Sequence, residues 1–375
     1  MTASNEGALL VLNLGSATLK AARFDGFSPG AGSPGLSQRI EIGLDKSRDT
    51  PEALLAQATD ALGFVAAPTW VGHRIVHGGD AEAARVLDAG EIGRLQKLAT
   101  LAPMHQPPAL ALVESATKLW PGAVQCGVYD TAWHATLPAN TRRLPVPQRW
   151  DALGVRRYGF HGLAFASAMR VLANQDDGTA RGRVVLAHLG GGASLCAVHD
   201  GRSIDTTMAM TPLDGVPMAT RSGCLDPGAL LFLLRQEDLS VDSLEQALYR
   251  ECGMRGVSGL SGDMRELLAS NSPAVTLALD MFALRIAQGI AAMATRLGGI
   301  DDLVFSGGIG ANAASVRGAI VKYLAWLDLQ LDDDANVRGV THLDSPASRA
   351  RIWRIEVDEE GEIASACMAL AMSGH

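Results

Sequence analysis

The stretch VVLAHLGGGASLCAVHDGRSIDTTMAMTPLDGVPMATRSGCLDP, residues 184–227, decides the fold. It opens with the apolar, β-branched run 184–187, which predicts a buried strand leading into the glycine triplet 190–192. Residues 193–198 predict a second strand, and Asp200-Gly201 predicts the tight turn to a third. The glycines therefore lie at a hairpin tip. Three backbone N–H groups with no Cβ beside them suit a phosphate group at that place.

This placement differs from the two commoner glycine signatures. The dinucleotide-binding fingerprint and the Walker loop both need glycines between a strand and a helix, and neither motif is present in this stretch. A glycine triplet alone is most often a simple turn. Its neighbours favour an anion site, because His188 precedes the triplet and Arg221 offers a guanidinium to a second anion.

The composition of the chain limits the class of protein. Its 375 residues are enough for two domains, and 47% hydrophobic with 19% charged residues is ordinary for a soluble globular protein. A formal net charge of −8 without a basic run argues against nucleic acid or an anionic membrane as partner. Five scattered cysteines without C-x-x-C spacing predict reduced thiols and a cytoplasmic protein. We expect no signal peptide and no segment of membrane-spanning length.

A similar hairpin is predicted at the start of the chain. Residues 8–14 predict a strand that ends in Gly15-Ser16-Ala17-Thr18-Leu19-Lys20, and residues 21–24 predict the returning strand. An ordinary β-turn with capping hydroxyls would explain this pattern if it stood alone. Because the same arrangement recurs in the second half of the chain, we favour two phosphate-binding hairpin tips in a duplicated fold. Asn13, near the strand end, has an amide that can hold a metal-bound water or a phosphate oxygen.

Two other predicted strands carry charged residues. Arg74 lies in the apolar strand of GHRIVHGG, residues 72–79, and an arginine there is costly unless it meets an anion. His73 and His77 share a face of that strand, as a metal pair or as hydrogen-bonded core histidines. Residues 123–129 predict a buried strand that delivers Asp130 at its C-terminal end. At this strand end Asp130 serves as a ligand-binding carboxylate, as a helix N-cap, or as both.

Helices and loops account for the remaining segments. We expect a surface loop over residues 27–36 and helices over 50–62, 109–119 and 273–297, the second of them after a proline-rich break. The segment VRRYGFHG, residues 155–162, has two equally good explanations. It is a basic helix start with a histidine in the core, or it carries His161 as a functional residue.

Two glycine-rich or acidic segments near the end of the chain also have two explanations. A strand over 302–305 leads into SGGIGAN, residues 306–312, as a tight turn or as a surface that receives an adenosine. Asp358-Glu359-Glu360 precedes a helix predicted over 363–372, either as partners of its dipole or as hard oxygen ligands for Mg²⁺.

Taken together, the motifs resemble those of the acetate kinase family, which comprises acetate and propionate kinases with butyrate kinases as more distant relatives. The resemblance covers nearly the whole chain, through VLNLGSATLK (11–20), GHRIVHGG (72–79), LAPMHQP (101–107), VYDTAWH (128–134), RRYGFHG (156–162), HLGGGAS (188–194), DTTMAMTPLDG (205–215), ATRSG (219–223), SGDMR (261–265), GGIGAN (307–312) and DEEGEIA (358–364). It implies an α/β, duplicated ribonuclease-H-like fold of the actin, sugar-kinase and heat-shock-chaperone superfamily. An N-terminal domain of residues 1–130, with a C-terminal helix 363–375 packed back on it, and a nucleotide-binding domain of residues 131–362 would flank an active-site cleft.

The same resemblance implies a function. Such enzymes transfer the γ-phosphoryl group of ATP to acetate, in line and reversibly, giving acetyl phosphate and ADP with Mg²⁺ or Mn²⁺ as cofactor, and they are commonly homodimers. Propionate or butyrate as acceptor is an alternative. Another is a nucleotide-dependent binding or ATPase module of the same superfamily, which would have no need for the set Arg74, His161 and Arg221.

The resemblance also assigns roles to residues. Arg74 and Arg221 would hold the carboxylate and the migrating phosphoryl group, His161 would hydrogen-bond that group, Asp130 would be the catalytic aspartate, and His105 would lie beside them. Asn13 and Glu359 match the Mg²⁺ site. The nucleotide phosphates would be held by Ser16, Thr18, Lys20, His188, Leu189, Gly190, Gly191 and Gly192, and the adenosine by Asp263, Met264, Arg265, Gly307, Gly308, Ile309, Gly310 and Ala311. The pocket for the substrate methyl group would be lined by Val76, Met104, Phe160 and Pro212.

Four positions depart from the family pattern. Gly191 replaces the asparagine of HLGNG, Ala311 replaces the glutamate of GIGEN, Phe165 replaces a histidine, and Met104 replaces a leucine of the pocket. None of these changes removes a predicted catalytic group. They leave the preferred phosphoryl donor and the preferred acyl-chain length open.

Overall fold

A computed structural model of the chain describes residues 7–28, 35–45, 49–175, 182–236 and 239–374. These residues form two compact units. Unit 1 comprises Met1–Ala135, Phe160–Ser167 and Asp358–His375, and unit 2 comprises Thr136–Gly159 and Ala168–Val357. The units differ from the predicted domains, because residues 131–135, 160–167 and 358–362 belong to unit 1.

The sheet of unit 1 combines antiparallel and parallel strands. Its strands are β1 (Gly7–Leu14), β2 (Thr18–Phe27), β3 (Gly35–Gly43), β4 (Trp70–Ile75), β5 (Arg85–Val86) and β6 (Val124–Tyr129), in the spatial order β3-β2-β1-β4-β6-β5. Strands β1, β2 and β3 pair antiparallel, whereas β4 and β6 run parallel to β1. The C-terminal ends of β1, β4 and β6 therefore lie along one edge of the sheet.

The sheet of unit 2 repeats this arrangement. Its strands are β7 (Arg183–Leu189), β8 (Ala193–His199), β9 (Arg202–Thr206), β10 (Asp302–Ser306) and β11 (Arg351–Arg354), in the order β11-β10-β7-β8-β9. Again three strands pair antiparallel through hairpins and two run parallel to the first. The repeated strand order and direction confirm the prediction of a duplicated α/β fold.

Helices pack beside both sheets. In chain order they are α1 (Pro51–Ala61), α2 (Ala89–Gln96), α3 (Gln106–Leu119), α4 (Ala139–Arg142), α5 (Gln148–Asp151), α6 (Gly162–Ala173), α7 (Pro227–Gln236), α8 (Val241–Arg250), α9 (Gly253–Ser258), α10 (Met264–Leu268), α11 (Pro273–Leu297), α12 (Gly307–Asn312), α13 (Ala314–Tyr323), α14 (Asp333–Arg338) and α15 (Glu359–Met372). Short 3₁₀ turns occur at Ala99–Leu101, Ala132–Thr136 and Ala325–Leu327.

Helix α15 packs on the sheet of unit 1. Ile363 and Cys367 join the buried cluster formed by β1, β2, β4 and β6. A Cβ at Gly72 would lie only 2.8 Å from Cys367 Sγ and from Ile363 Cγ2, so only glycine allows the helix to come this close to β4. The helix starts at Glu359, four residues before the predicted start, because Asp358 caps it by accepting a hydrogen bond from Gly361 N–H. Residue 375 lies outside the described residues.

Two predicted boundaries in unit 1 are wrong. The surface loop expected over 27–36 is strand at its two ends, since β2 extends to Phe27 and β3 begins at Gly35, while residues 29–34 lie outside the described residues. Helix α3 begins at Gln106, ahead of its two prolines, because proline is tolerated in the first turn, where the missing N–H has no helical partner.

The expectation about membrane-spanning length needs a correction as well. Helix α11 is long and apolar enough to cross a membrane by length and composition alone. Its buried side includes Phe282, Ile286 and Ile290, and a Cβ at Gly289 would lie 2.4 Å from Leu195 Cδ1 on β8. Such close packing on a sheet is typical of a core helix, whose apolar length comes from its many alanines and its buried face.

Buried His73 predicts a pH-dependent stability of unit 1. Its Nε2 lies 2.8 Å from Gln125 Oε1, and burial lowers its pKa to about 4. The unfolded chain, with a histidine pKa of about 6.5, binds a proton that the folded chain excludes, so this contribution is present above about pH 6.5 and is lost on acidification towards pH 4. We expect the free energy of unfolding to fall by about 2 kcal/mol from this group between pH 7.5 and pH 5. Urea unfolding of the wild type and of His73→Gln at both pH values measures it, and equal losses in the two proteins would contradict the assignment.

Candidate active site

Three polar residues meet where β1, β4 and β6 end in unit 1. The Arg74 guanidinium donates through Nη2 to Asp130 Oδ2 at 2.7 Å and through Nε to Oδ1 at 3.2 Å. Its Nη1 donates to Asn13 Oδ1 at 3.2 Å. The Asp130 side chain is 2% exposed and that of Arg74 is 14% exposed. The sequence predicts that Arg74, which lies in an apolar strand, needs an anion. Within unit 1 that anion is the Asp130 carboxylate.

Two glutamates of α15 complete this cluster. Asn13 Nδ2 donates to Glu359 Oε2 at 2.9 Å and to Glu360 Oε1 at 2.7 Å. Burial raises the pKa of Asp130 and the charge of Glu359 adds to this, while the ion pair with Arg74 opposes it. Burial alone would lower the pKa of Arg74, but Asp130, Glu359 and Glu360 together outweigh burial and raise it. The cluster therefore has more negative than positive charge.

His161 lies against the same aspartate. Its backbone has φ of 59°, an uncommon value for a residue with a Cβ, and its backbone hydrogen bond to the Asp130 carboxylate helps to lower the pKa of that group. Gly162 N–H donates to Asp130 O at 3.1 Å, and a Cβ at Gly162 would lie only 2.0 Å from that oxygen. The turn before α6 is therefore held tightly against Asp130, and strained backbone of this kind is typical of functional sites.

Three of the predicted pocket residues also lie in unit 1. Val76 and Phe160 are buried and Met104 is half-buried. The Phe160 ring packs edge-on against His77 with centroids 5.4 Å apart, and its carbonyl lies 3.0 Å from His134 Nε2. The remaining predicted catalytic residue of this unit, His105, is the residue before the first turn of α3.

Both predicted phosphate-binding turns join two antiparallel strands, and each is closed by a backbone hydrogen bond from its first glycine, across four residues in unit 1 and three in unit 2. Gly15 N–H donates to Thr18 O at 2.8 Å in unit 1, and Gly190 N–H donates to Gly192 O at 2.9 Å in unit 2. Ser16 and Lys20 are exposed in the first turn, and Gly191 is exposed in the second. A Cβ at Gly191 would meet nothing within 4 Å, so packing would also accept the asparagine of the family pattern.

A cavity of about 500 Å³ in unit 2 collects most residues predicted to bind adenosine. Three segments far apart in the sequence line it, namely the β7–β8 turn, the start of α10 and helix α12. The lining residues are Gly190, Gly191, Gly262, Asp263, Met264, Arg265, Leu268, Gly308, Ile309, Asn312 and Ala313. Within this lining, Arg265 donates through Nε to Asp263 Oδ1 and through Nη2 to Oδ2, and this hydrogen bonding lowers the pKa of Asp263 to about 2.

The segment 306–312, expected as a tight turn or as a surface that receives an adenosine, is helical from Gly307 onwards. Gly307 starts α12 with φ of 78°, and a Cβ there would lie 2.6 Å from Leu189 O. Glycine is therefore required where α12 meets the end of β7. Next to it, His188 Nδ1 lies 3.2 Å from Ser306 Oγ, while Gly310 and Ala311 are buried.

Arg221 lies in unit 2 with one predicted pocket residue. Its Nη1 donates to Pro212 O at 2.8 Å, and burial lowers its pKa to about 10. Among the described residues, no carboxylate forms an ion pair with Arg221. A Cβ at Gly253 would lie 2.6 Å from Arg221 O, so this backbone is packed closely. The result is a charged, partly buried guanidinium that is available to an anion.

Sequence reasoning missed Glu360 and four residues that line the cavity of unit 2, namely Gly262, Leu268, Asn312 and Ala313. Glu360 was noted only as part of an acidic run, and its contact with Asn13 depends on α15 starting at Glu359. Asn312 and Ala313 line the cavity of unit 2 in place of buried Ala311. A helical period across residues 307–313 places Asn312 and Ala313 on the same side as Gly308 and Ile309.

The chain is similar to known kinases over almost its whole length. The family model described as the Acetokinase family matches residues 56–365. An acetate kinase of Rhodopseudomonas palustris is 39% identical, with 98% of this chain and 99% of the relative covered. An acetate kinase of Nitrobacter hamburgensis is 42% identical over 81% of this chain and 76% of the relative.

Two crystal structures have the same fold. A propionate kinase from Francisella tularensis matches with a TM-score of 0.86 at 30% identity, over 96% of this chain and 98% of that one. An acetate kinase from Porphyromonas gingivalis matches with a TM-score of 0.80 at 30% identity, over 97% and 99%. With the family model and these whole-length relatives, the chain belongs to the acetokinase family and is a phosphotransferase with a carboxyl group as acceptor.

Proposed function

We propose that this protein transfers the γ-phosphoryl group of ATP to acetate and runs readily in reverse. The observation that carries the proposal is the cluster of unit 1, in which the Asp130, Glu359 and Glu360 carboxylates surround one guanidinium and one amide. Such an excess of carboxylate oxygen suits a divalent cation bound to nucleotide phosphates. In the reaction an acetate oxygen forms a bond to the γ-phosphorus, and the bond to the ADP oxygen breaks and leaves its electron pair there.

Arg74 has donors left for such a substrate. A guanidinium has five N–H groups, and Asp130 and Asn13 engage only three of them among the described residues. The ion pair with Asp130 orients the guanidinium, so that the two remaining N–H groups point in a set direction towards an acetate or phosphoryl oxygen. We assign to Asp130 the orientation of Arg74, and to His161 a hydrogen bond to the transferred group.

Arg221 would neutralise the second acid of the reaction. Because no described carboxylate pairs with it, an incoming anion gains a full charge-assisted hydrogen bond without displacing an existing ion pair. Two mutually repelling acids can then react, which is the main electrostatic demand of phosphoryl transfer to a carboxylate.

The cofactor we propose is Mg²⁺, or Mn²⁺ in its place. No group of three or more His, Cys, Asp or Glu side chains with metal-site geometry occurs in the part of the chain that the structure describes. The donor set nevertheless fits Mg²⁺, which usually binds one or two carboxylates together with water and substrate phosphates. Glu359 and Glu360, positioned by the Asn13 amide, would hold the ion. When bound, Mg²⁺ neutralises the charge that develops on the phosphate oxygens.

The cavity of unit 2 is our candidate for the nucleoside of ATP or ADP. Glycines from the β7–β8 turn and from α12 leave its backbone open on two sides, and Ile309 and Leu268 offer apolar surface to a base. Its volume of about 500 Å³ is in the range of pockets that bury small ligands.

Propionate is the second candidate acceptor, because a propionate kinase is among the whole-length structural matches. Trapping the acyl phosphate with hydroxylamine separates the candidates when acetate, propionate and butyrate are each supplied with MgATP and with pyrophosphate. We expect the highest kcat/KM for acetate with MgATP. A higher value for propionate would reassign the acceptor. Hydrolysis of ATP without any hydroxamate would favour the nucleotide-dependent ATPase module and contradict the proposal.

We also propose that the protein is a homodimer. Helix α7 has the sequence PGALLFLLRQ, yet none of its residues is buried, and Leu231 and Phe232 are 52% and 61% exposed. A contiguous apolar surface of this kind usually marks a protein interface. Light scattering after size exclusion should give twice the 39.3 kDa chain mass at micromolar concentration, and the mass of a single chain would contradict this.

A further inference from the structure

Arg317 is a fully buried arginine that the predicted site does not use. It lies on α13 with 1% exposure, and its four hydrogen bonds all go to uncharged acceptors. Nη1 donates to Gly310 O and Ala311 O, both at 2.9 Å. Nε and Nη2 donate to Asn336 Oδ1 and Asn336 O, both at 2.8 Å. Burying a charge with no carboxylate partner in the described chain lowers the stability of the fold, so the presence of Arg317 at this place needs an explanation.

Arg317 binds carbonyl groups at the C-terminal end of α12, the helix beside the cavity. Helix α12 has only six residues and cannot be stable by itself, so contacts at its ends must hold it. At its start Gly307 packs against Leu189 O, and at its end Arg317 binds two of the carbonyls that have no partner within the helix. A cation is favourable there because the C-terminal end of a helix is partially negative.

The other side of α12 forms part of the cavity wall through Gly308, Ile309 and Asn312. Arg317 also ties this helix to α14, because Asn336 accepts its other two hydrogen bonds and itself donates to Ala314 O at 2.9 Å. Arg354 Nε donates to Ala311 O at 2.7 Å as well, but its other amino group pairs with exposed Glu356. Arg354, at the end of β11, thus binds one of these carbonyls, whereas Arg317 binds both and joins them to α13 and α14.

We propose that Arg317 is a positioning residue for nucleotide binding, which holds α12 in place by its C-terminal carbonyls so that the opposite face keeps its shape as a wall of the nucleotide cavity. This inference depends on the proposed function, in which that cavity binds the nucleoside of ATP. It predicts that loss of Arg317 weakens nucleotide binding and leaves carboxylate binding unchanged.

The test compares three variants with the wild type. In Arg317→Gln the Kd for ADP, measured by calorimetry, and the KM for ATP should each rise about tenfold or more, while the KM for acetate stays within about twofold. Arg317→Lys keeps the charge but not the fork of donors, and should lie between Arg317→Gln and the wild type. The matched control is Arg183→Gln, which removes an arginine bound to Gly298 O, directly after α11 and at the opposite end of β7. It should lower the thermal midpoint without raising the Kd for ADP.

Each outcome decides between distinct explanations. An unchanged Kd for ADP in folded Arg317→Gln would overturn this inference alone, and so would equal rises in the KM for ATP and for acetate. Absence of ADP binding by the wild type would overturn the proposed nucleotide site and this inference with it. If Arg317→Gln does not fold, Asn336→Ala removes the side-chain acceptor of Arg317 Nε and keeps the backbone acceptor of Nη2, which loosens the guanidinium on α14. That variant should still raise the Kd for ADP, and an unchanged value would count against the inference.

Discussion

Replacing Asp130 with asparagine should lower acyl phosphate formation by about a thousandfold or more. The carboxylate accepts from both Nε and Nη2 of Arg74, and a neutral amide of the same shape cannot hold the guanidinium in that orientation. The change also leaves Arg74 without its ion-pair partner, so we expect a loss of about 3 kcal/mol in the free energy of unfolding. Hydroxamate trapping measures the first effect, and urea unfolding at the same pH measures the second.

The matched control for this change is Asp302→Asn in unit 2. Asp302 is also buried and paired with an arginine, with Arg351 Nε 2.8 Å from its Oδ1, and it accepts from Trp353 Nε1 at 2.7 Å. Its replacement should cost similar stability but leave most of the activity of the folded protein. If both variants lost activity in parallel with stability, the proposed role of Asp130 in orienting Arg74 for the reaction would be wrong and its role would be structural.

Replacing Arg221 with alanine should reduce kcat/KM for acetate by about a thousandfold without destabilising the protein. The two effects separate because Arg221 has no carboxylate partner among the described residues, so its removal takes away a charge that burial already disfavours. We expect the free energy of unfolding to stay equal or to rise. Arg221→Lys should restore only part of the activity, because an ammonium group lacks the two parallel donors.

Steady-state kinetics with varied acetate, together with the Kd for ADP, checks the second prediction. The Kd for ADP should stay near the wild-type value, since the nucleotide cavity has no contribution from Arg221. Arg285→Ala on α11 serves as the control for loss of one positive charge in the same unit, because its exposed Nη1 donates to Gln288 Oε1 on the same helix. Turnover near the wild-type rate in Arg221→Ala would contradict the assigned role.

Local patterns were enough to predict the repeated architecture. The strand-turn-strand sequences around Gly15 and Gly190 specify hairpins, because a glycine or small residue between two apolar runs leaves few other conformations. Both turns have the predicted form, and the two sheets repeat each other's strand order. Helix ends were harder to predict, since prolines are compatible with the first turn of α3 and the capping of α15 by Asp358 moves its start to Glu359.

The amino-acid sequence by itself predicted that Asn13 and Asp130 stand near the ends of strands and that Arg74 lies in an apolar strand, whereas strand order brings the three to one edge of the sheet of unit 1. Only the tertiary structure decided that Arg74 binds Asp130, that Glu360 joins Glu359 on Asn13, and that buried Arg317 holds the end of α12. The physical reason is that a strand or turn is set by neighbours a few residues away, whereas these contacts join residues brought together by strand order and by helix packing. The spacing of residues along the chain therefore does not indicate which partner a charged side chain contacts in the folded protein.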